Sequence, residues 1–344
     1  MIRKTSLLAA LPLALVLLKA PAQEGCCGPG GMRGGMMGGM PGGMMAPLPA
    51  AVNSQTNPIT DAKISLGRML FYDARLSKGG DVSCNSCHNL SHYGVDGKRV
   101  STGYKGQLGG RNSPTVYNAA GHIAQFWDGR AVDVEEQAKG PVLNPVEMAM
   151  ASELEVVARL KSIPGYRPAF AKAFPDCAEP ITLDNMALAI GAFERKLLTP
   201  SRWDRFLNGD RSAITAEEMA GHHEFRHNGC ITCHNGPYIG GRAFQKLGAE
   251  KAWPNETDLG RAQVTKSATD RMVFKVPSLR NVEKTGPYFH DGNVATLDQA
   301  IRLMGEYQLG TTLEDQQVTR IAAWLKTLTG EIPVEYVRAP VLPE

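Results

Sequence analysis

Apolar positions recur at helical spacing in four stretches: Asp61 to Tyr72, Glu153 to Leu160, Leu183 to Leu198, and a late stripe of Val318, Ile321, Ala322, Leu325 and Leu328. The stripe follows Glu314-Asp315, an acidic start of the kind that favours a helix N-terminus. Period-two alternation is scarce, and long glycine- and proline-rich connections separate the periodic stretches. The pattern predicts an all-α fold with little strand, its loops wrapping a flat cofactor that supplies part of the core. Before Pro58 the pattern is of another kind. Arg3 and Lys4 precede an apolar run, Leu7 to Leu18, and then Ala20-Pro21-Ala22. That order of charge, apolar core and small residues predicts a signal peptide over residues 1–22, whose apolar run, Leu7 to Leu18, is short of the roughly 20 residues needed to span a bilayer.

Residues 25–46 are low-complexity glycine and methionine, which cannot offset the entropy of ordering by burying a core. A flexible arm is expected over residues 23–55. Its Met32, Met36, Met37, Met40, Met44 and Met45, with Cys26 and Cys27, are soft sulfur ligands suited to Cu(I), so the arm reads either as copper capture or as plain linker. The remaining length is enough for two domains, divided near Thr199-Pro200 into residues 56–199 and 200–344. The formal charge of +3 falls to about zero once Arg3, Lys4 and Lys19 are removed, so no basic field points to nucleic acid. The export signal places the mature chain in the periplasm.

The chemistry is carried by Cys84-Asn85-Ser86-Cys87-His88 and Cys230-Ile231-Thr232-Cys233-His234. Two thiols at this spacing reach both vinyl groups of one porphyrin, and the adjoining histidine turns its imidazole onto the iron. A zinc site would gather four ligands locally, and a dithiol redox pair has no use for the histidine. Two covalent haems c follow. Of the seven cysteines only Cys26, Cys27 and Cys177 are left over, and Cys177 reads as a small apolar residue. A sulfur ligand opposite the histidine makes a haem an electron relay, whereas an open position makes it a catalyst. For His234 the candidate sulfur is Met304, ahead of the last helix, with Met272 as competitor.

Six further strings extend the pattern: Asn112-Ser113-Pro114-Thr115-Val116, Gln125-Phe126-Trp127-Asp128-Gly129-Arg130, Glu135-Glu136-Gln137-Ala138-Lys139-Gly140-Pro141, Pro145-Val146-Glu147-Met148, Phe274 to Val282, and Pro287-Tyr288-Phe289-His290-Asp291-Gly292. With the two haem motifs, they make residues 57–333 resemble a bacterial dihaem cytochrome c peroxidase. The resemblance implies two packed cytochrome c-like domains. It implies a peroxidatic haem on His88 and a high-potential, electron-receiving haem on His234 and Met304. It further implies calcium held by the Asn112 side chain and the carbonyls of Thr285 and Pro287, Trp127 between the haems, Glu147 as the distal acid–base and Gln137 as a polar neighbour. Hydrogen peroxide, a cytochrome c or cupredoxin as donor, and a homodimer belong to the same implication.

One position departs from the family. A histidine usually closes the resting peroxidatic haem sixteen residues after the proximal one, and here that place is taken by Tyr104. An open or loosely closed haem is therefore expected, with His92 and His122 as the other residues able to close it. Two further readings remain: a dihaem oxidase modifying a partner protein, though such enzymes tend to carry tyrosine where this chain has Met304, and a dihaem electron carrier, which needs no distal acid.

Overall fold

The computed structural model describes residues 45–344. The signal segment, Cys26, Cys27 and the arm methionines up to Met44 lie outside the described residues. Eight helices of seven residues or more occur among the described residues: α1 Asp61–Tyr72, α2 Val134–Leu143, α3 Glu153–Lys161, α4 Tyr166–Ala173, α5 Leu183–Glu194, α6 Ala216–His227, α7 Leu297–Leu303 and α8 Asp315–Lys326. Strand is confined to one antiparallel pair, β1 Phe244–Lys246 and β2 Val273–Lys275, and isolated bridges. The architecture is all-α, as the periodicity predicts.

Local chemistry sets the helix starts. Thr60 caps α1 by accepting from Lys63 N–H, Thr182 caps α5 through Asn185 N–H, and Thr215 with Glu218 forms a reciprocal capping box on α6. The helix expected to reach Leu198 stops at Glu194. Thr199 precedes Pro200, whose ring disfavours helical backbone before it, and the chain turns while Leu197 and Leu198 stay buried.

Two main cores form. One gathers Leu66 through Leu197 and takes in Val337; the other gathers Trp203 through Leu328. They are built alike: in each, the helix before the haem motif crosses the last long helix of the half, α1 on α5 and α6 on α8. Each crossing closes on a glycine. A Cβ at Gly67 would lie 1.9 Å from the Ala189 carbonyl oxygen, and one at Gly221 would lie 1.9 Å from that of Arg320. Backbone contact this close admits no side chain, and the same device in both halves is structural evidence of an internal duplication.

Both ends of the described segment link the two cores. Residues 45–55, expected to belong to the flexible arm, are docked instead: Met45 packs on the second core, Leu48 N–H donates to Asp204 Oδ1 at 2.7 Å and Val52 N–H to the Arg195 carbonyl at 3.0 Å. At the other end Tyr336 stacks on Phe193 and donates its hydroxyl to the Phe193 carbonyl at 2.7 Å, tying the C-terminus to the first core. Cys177 packs half-buried against that core. No helix among the described residues is long and apolar enough to cross a membrane.

Candidate haem centres

A cavity of about 280 Å³ is lined by Cys230, Cys233, His234 and Met304 together, with Phe225, Ile301 and Leu325 among its apolar walls. Met304 opens a π-helical turn, Met304–Gln308, directly after α7, a backbone irregularity frequent at functional sites. Its competitor Met272 is fully buried in a separate cluster with Trp253 and Phe274 and does not line the cavity. Burial lowers the His234 pKa to about 4, so the imidazole is neutral and has a ring nitrogen to give to a metal. Its buried Nδ1 makes no well-formed hydrogen bond, although the Pro277 and Ile239 carbonyls lie nearby. Two unlinked thiols, a neutral imidazole and a thioether around one apolar space fit a covalent haem with His/Met ligation.

In the first half Ser83 and Ser86 start a one-turn helix, Cys84–Cys87, whose i, i+3 spacing places both thiols on the same face. Burial pushes the Cys84 thiol up to about 12, which removes the thiolate that dithiol redox chemistry requires. His88 Nδ1 donates to the Gly94 carbonyl at 3.3 Å, fixing the ring and leaving Nε2 as the metal-binding nitrogen. Burial holds this imidazole below its ordinary pKa as well. These residues also fit a haem c.

Glu147 sits in the turn that follows α2, where Asn144 directs it: Asn144 Nδ2 donates to Glu147 Oε1 at 2.7 Å while Asn144 Oδ1 accepts from Val146 N–H at 3.0 Å. Burial raises the Glu147 pKa, and the Arg130 charge and the Asn144 hydrogen bond pull it part of the way back. Gln137 lies half-buried on α2. The Tyr104 loop is tied to the same turn, since Tyr104 N–H donates to the Glu147 carbonyl at 2.8 Å and Gln107 Nε2 to the Pro145 carbonyl at 3.1 Å. Gly103 permits this approach, because a Cβ there would lie 2.1 Å from the Val146 carbonyl oxygen. Tyr104 is half-buried at a cleft shared with Lys78, Leu143, Pro145 and Met150. His92 is exposed, and His122 lines the other cavity, beside Lys275.

Between the halves, Trp127 Nε1–H donates to the Asn112 carbonyl at 2.9 Å, and its ring meets His290 edge-on at 6.5 Å. Arg111 clamps this segment: its Nη1 reaches Asp128 at 2.6 Å, and its Nε and Nη2 grip Asp258 of the second half at 2.6 and 2.8 Å. Asn112, Thr285 and Pro287 all line the cavity, with Asn112 Nδ2 bound to the Lys98 carbonyl at 3.0 Å, which leaves Oδ1 as its remaining acceptor. Among the described residues no group of three His, Cys, Asp or Glu could hold a metal, so any cation placed here would have to rely on neutral oxygens and water. Such donors suit calcium. Arg111, Asn144 and Lys275 were not singled out from the sequence, although each adjoins or lies within a string that was; His122 was named there only as a residue able to close the first haem.

The profile of the di-haem cytochrome c peroxidase family matches residues 61–212. A protein named cytochrome c551 peroxidase from Nitrosomonas europaea is 49% identical over 282 residues, 81% of this chain and 82% of that protein. The chain belongs to the di-haem cytochrome c peroxidase family. A second cytochrome c551 peroxidase, from Pseudomonas aeruginosa, is 46% identical over 305 residues, covering 86% of this chain and 87% of that one. Among solved structures, that of a MauG-like protein associated with microbial copper homeostasis superimposes with a TM-score of 0.77 at 31% identity, over 85% of this chain and 97% of that one. Membership in the family brings two haems c, and the two Cys-x-x-Cys-His motifs are where this chain has the residues to take them.

Proposed function

We propose that this chain is a periplasmic enzyme that reduces hydrogen peroxide to water, with electrons delivered singly by a small redox protein, a cytochrome c or a cupredoxin. Cys84, Cys87 and His88 would hold the haem at which peroxide is reduced; Cys230, Cys233, His234 and Met304 would hold the one that receives electrons. Bound haem supplies the redox-active iron that a polypeptide lacks.

Everything else falls to side chains. Glu147 takes a proton from one peroxide oxygen and gives it to the other, so that water leaves. Peroxide, two electrons and two protons give two waters. A carboxylate whose pKa is raised by burial is a better proton acceptor in the first half of that transfer, and Asn144 keeps it aimed. Gln137 is the residue assigned to orient peroxide, and the Trp127 indole is the π-system bridging the halves. Asn112, with the Thr285 and Pro287 carbonyls, would hold calcium beside that indole, and the active form would be a homodimer. The single observation that carries the reading is the half-buried, Asn144-aimed carboxyl of Glu147 in the half that holds the Cys84–His88 motif.

The Tyr104 loop, with no histidine at its tip, favours a peroxide site that needs no reductive opening. Met304 in the His234 cavity weighs against the oxidase reading, and Glu147 weighs against a pure carrier. Steady-state peroxide turnover with reduced cytochrome c separates the three. A peroxidase turns over alone, an oxidase turns over only with its protein substrate, and a carrier does not turn over at all.

A further inference from the structure

The cavity lined by His234 and Met304 contains a buried cation with no counter-ion. Lys275, the last residue of β2, is 8% exposed. Its Nζ contacts His122 Nδ1 at 3.2 Å, and no carboxylate within 4.0 Å pairs with it among the described residues. Burial alone lowers its pKa, to about 8, which leaves it charged at neutral pH. Burial and the Lys275 charge together hold His122 far below its ordinary value, so the imidazole is neutral. The tautomer follows. An ammonium can only donate, so Nδ1 accepts and the ring proton sits on Nε2. That Nε2 is buried and has no partner.

The pair is built rather than incidental. The His122 ring lies against Gly241, where a Cβ would come within 2.3 Å of it, and meets Tyr238 edge-on at 5.9 Å. Ile123 N–H bonds the Gly241 carbonyl at 2.9 Å and Lys275 N–H bonds the Trp127 carbonyl at 2.8 Å, so the donors come from opposite halves of the chain and are fixed on backbone. An unpaired buried ammonium costs several kcal/mol, and a fold that tolerates one this rigidly held has an anion to offset it.

We propose that Lys275 Nζ and His122 Nε2–H seat a carboxylate of the prosthetic group in this cavity, a haem propionate, and so anchor that group to the strand that also holds Trp127. The inference rests on the reading that the His234 cavity takes a haem c. A free small anion such as chloride or phosphate has the same chemistry, and the test separates the two sources.

Holoprotein is purified as wild type, Lys275→Met, Lys275→Arg and His122→Phe, and haem is counted per chain by alkaline pyridine. A count of one haem in wild type refutes the underlying cavity reading itself. With two haems present, Lys275→Met shifts the midpoint potential of the high-potential haem downward, because loss of a nearby positive charge favours ferric iron, and it moves the propionate-bending band in resonance Raman. Lys275→Arg restores both. His122→Phe, which keeps a ring and loses the donor, moves the Raman band. A wild-type potential that follows chloride or phosphate concentration overturns the proposal in favour of a free anion. Wild-type potential and wild-type Raman band in Lys275→Met overturn it outright. Should that variant fail to take up haem, the His122→Phe band and the wild-type anion titration decide in the same way.

Discussion

Replacing Glu147 by glutamine tests the assignment of proton transfer with the least disturbance of structure. The amide keeps the volume of the carboxyl, and its Oε1 can still accept the 2.7 Å hydrogen bond from Asn144 Nδ2, so the turn that also carries the Tyr104 contact stays in place. What is lost is the ability to take a proton and return it. General acid–base catalysis by a positioned group contributes roughly 10² to 10⁴ in rate, or about 2.7 to 5.5 kcal/mol of barrier, and kcat/KM for peroxide should fall by that factor. The pH profile adds a sign. Burial is the largest influence on Glu147 and raises its pKa, while Arg130 and the Asn144 donor act against it by favouring the ionised form. A group that must start ionised loses activity as pH falls through its pKa, so the acidic limb of kcat/KM lies above the ordinary carboxylate range. Asn144→Ala removes a stabiliser of the ionised form and moves that limb to higher pH, and Arg130→Gln moves it the same way. A Glu147→Gln enzyme with both haems intact and kcat/KM within about threefold of wild type, well short of the expected factor, would refute the assignment. A limb that moves to lower pH in Asn144→Ala would refute the electrostatic argument.

Three other outcomes follow from the geometry. Gly67→Ala and Gly221→Ala each set a methyl 1.9 Å from a carbonyl oxygen, and the overpacking cost of about 1–3 kcal/mol or more outweighs the gain of about 1 kcal/mol in helix propensity, so thermal unfolding midpoints should drop in both; a rise in either contradicts the crossings. Arg111→Ala leaves Asp128, whose side chain is 4% exposed, with only the more exposed Arg130 as partner. A loss on the order of 3 kcal/mol is expected in denaturant unfolding, together with slower electron redistribution between the halves in half-reduced protein, and unchanged redistribution would disconnect the clamp from Trp127. The diferric protein should lack a low-spin bis-imidazole EPR signal, since Tyr104 stands at the loop tip, His92 is exposed and His122 is bonded to Lys275 in the other cavity; its presence would mean that another histidine closes the site.

The sequence makes the helices and the haem motifs easy to read because both are local. A 3.6-residue apolar period marks Asp61–Tyr72 to the residue, and Cys-x-x-Cys-His needs only five neighbours. Spacing alone leaves Met304 and Met272 in competition and only the family resemblance favours Met304; in three dimensions Met304 lines the cavity and Met272 packs with Trp253 and Phe274 instead. The docking of residues 45–55 was hidden for a related reason. The glycine- and methionine-rich low-complexity run up to Ala46 predicts a tether, but Leu48 and Val52 are held through backbone N–H groups, which no composition reveals. Lys275 and His122 lie 153 positions apart, and nothing in either neighbourhood signals the other.

On the proposed function, the repeated helix crossing would let two similar halves divide their labour. Each holds its haem motif against the same glycine-closed helix crossing, so the motif and its proximal histidine are positioned by elements that neither half can alter cheaply. The loops are under no such constraint. In the second half the free stretch ends in a π-turn that brings a thioether into the His234 cavity; in the first, the turn after α2 brings a carboxyl and binds the Tyr104 loop through one backbone hydrogen bond. A thioether turns iron toward electron transfer, and a buried acid prepares a cavity for peroxide. The two roles therefore require only that the loops diverge while the crossings stay fixed, and the Arg111 bridge from Asp128 to Asp258 keeps the diverged sites in one register.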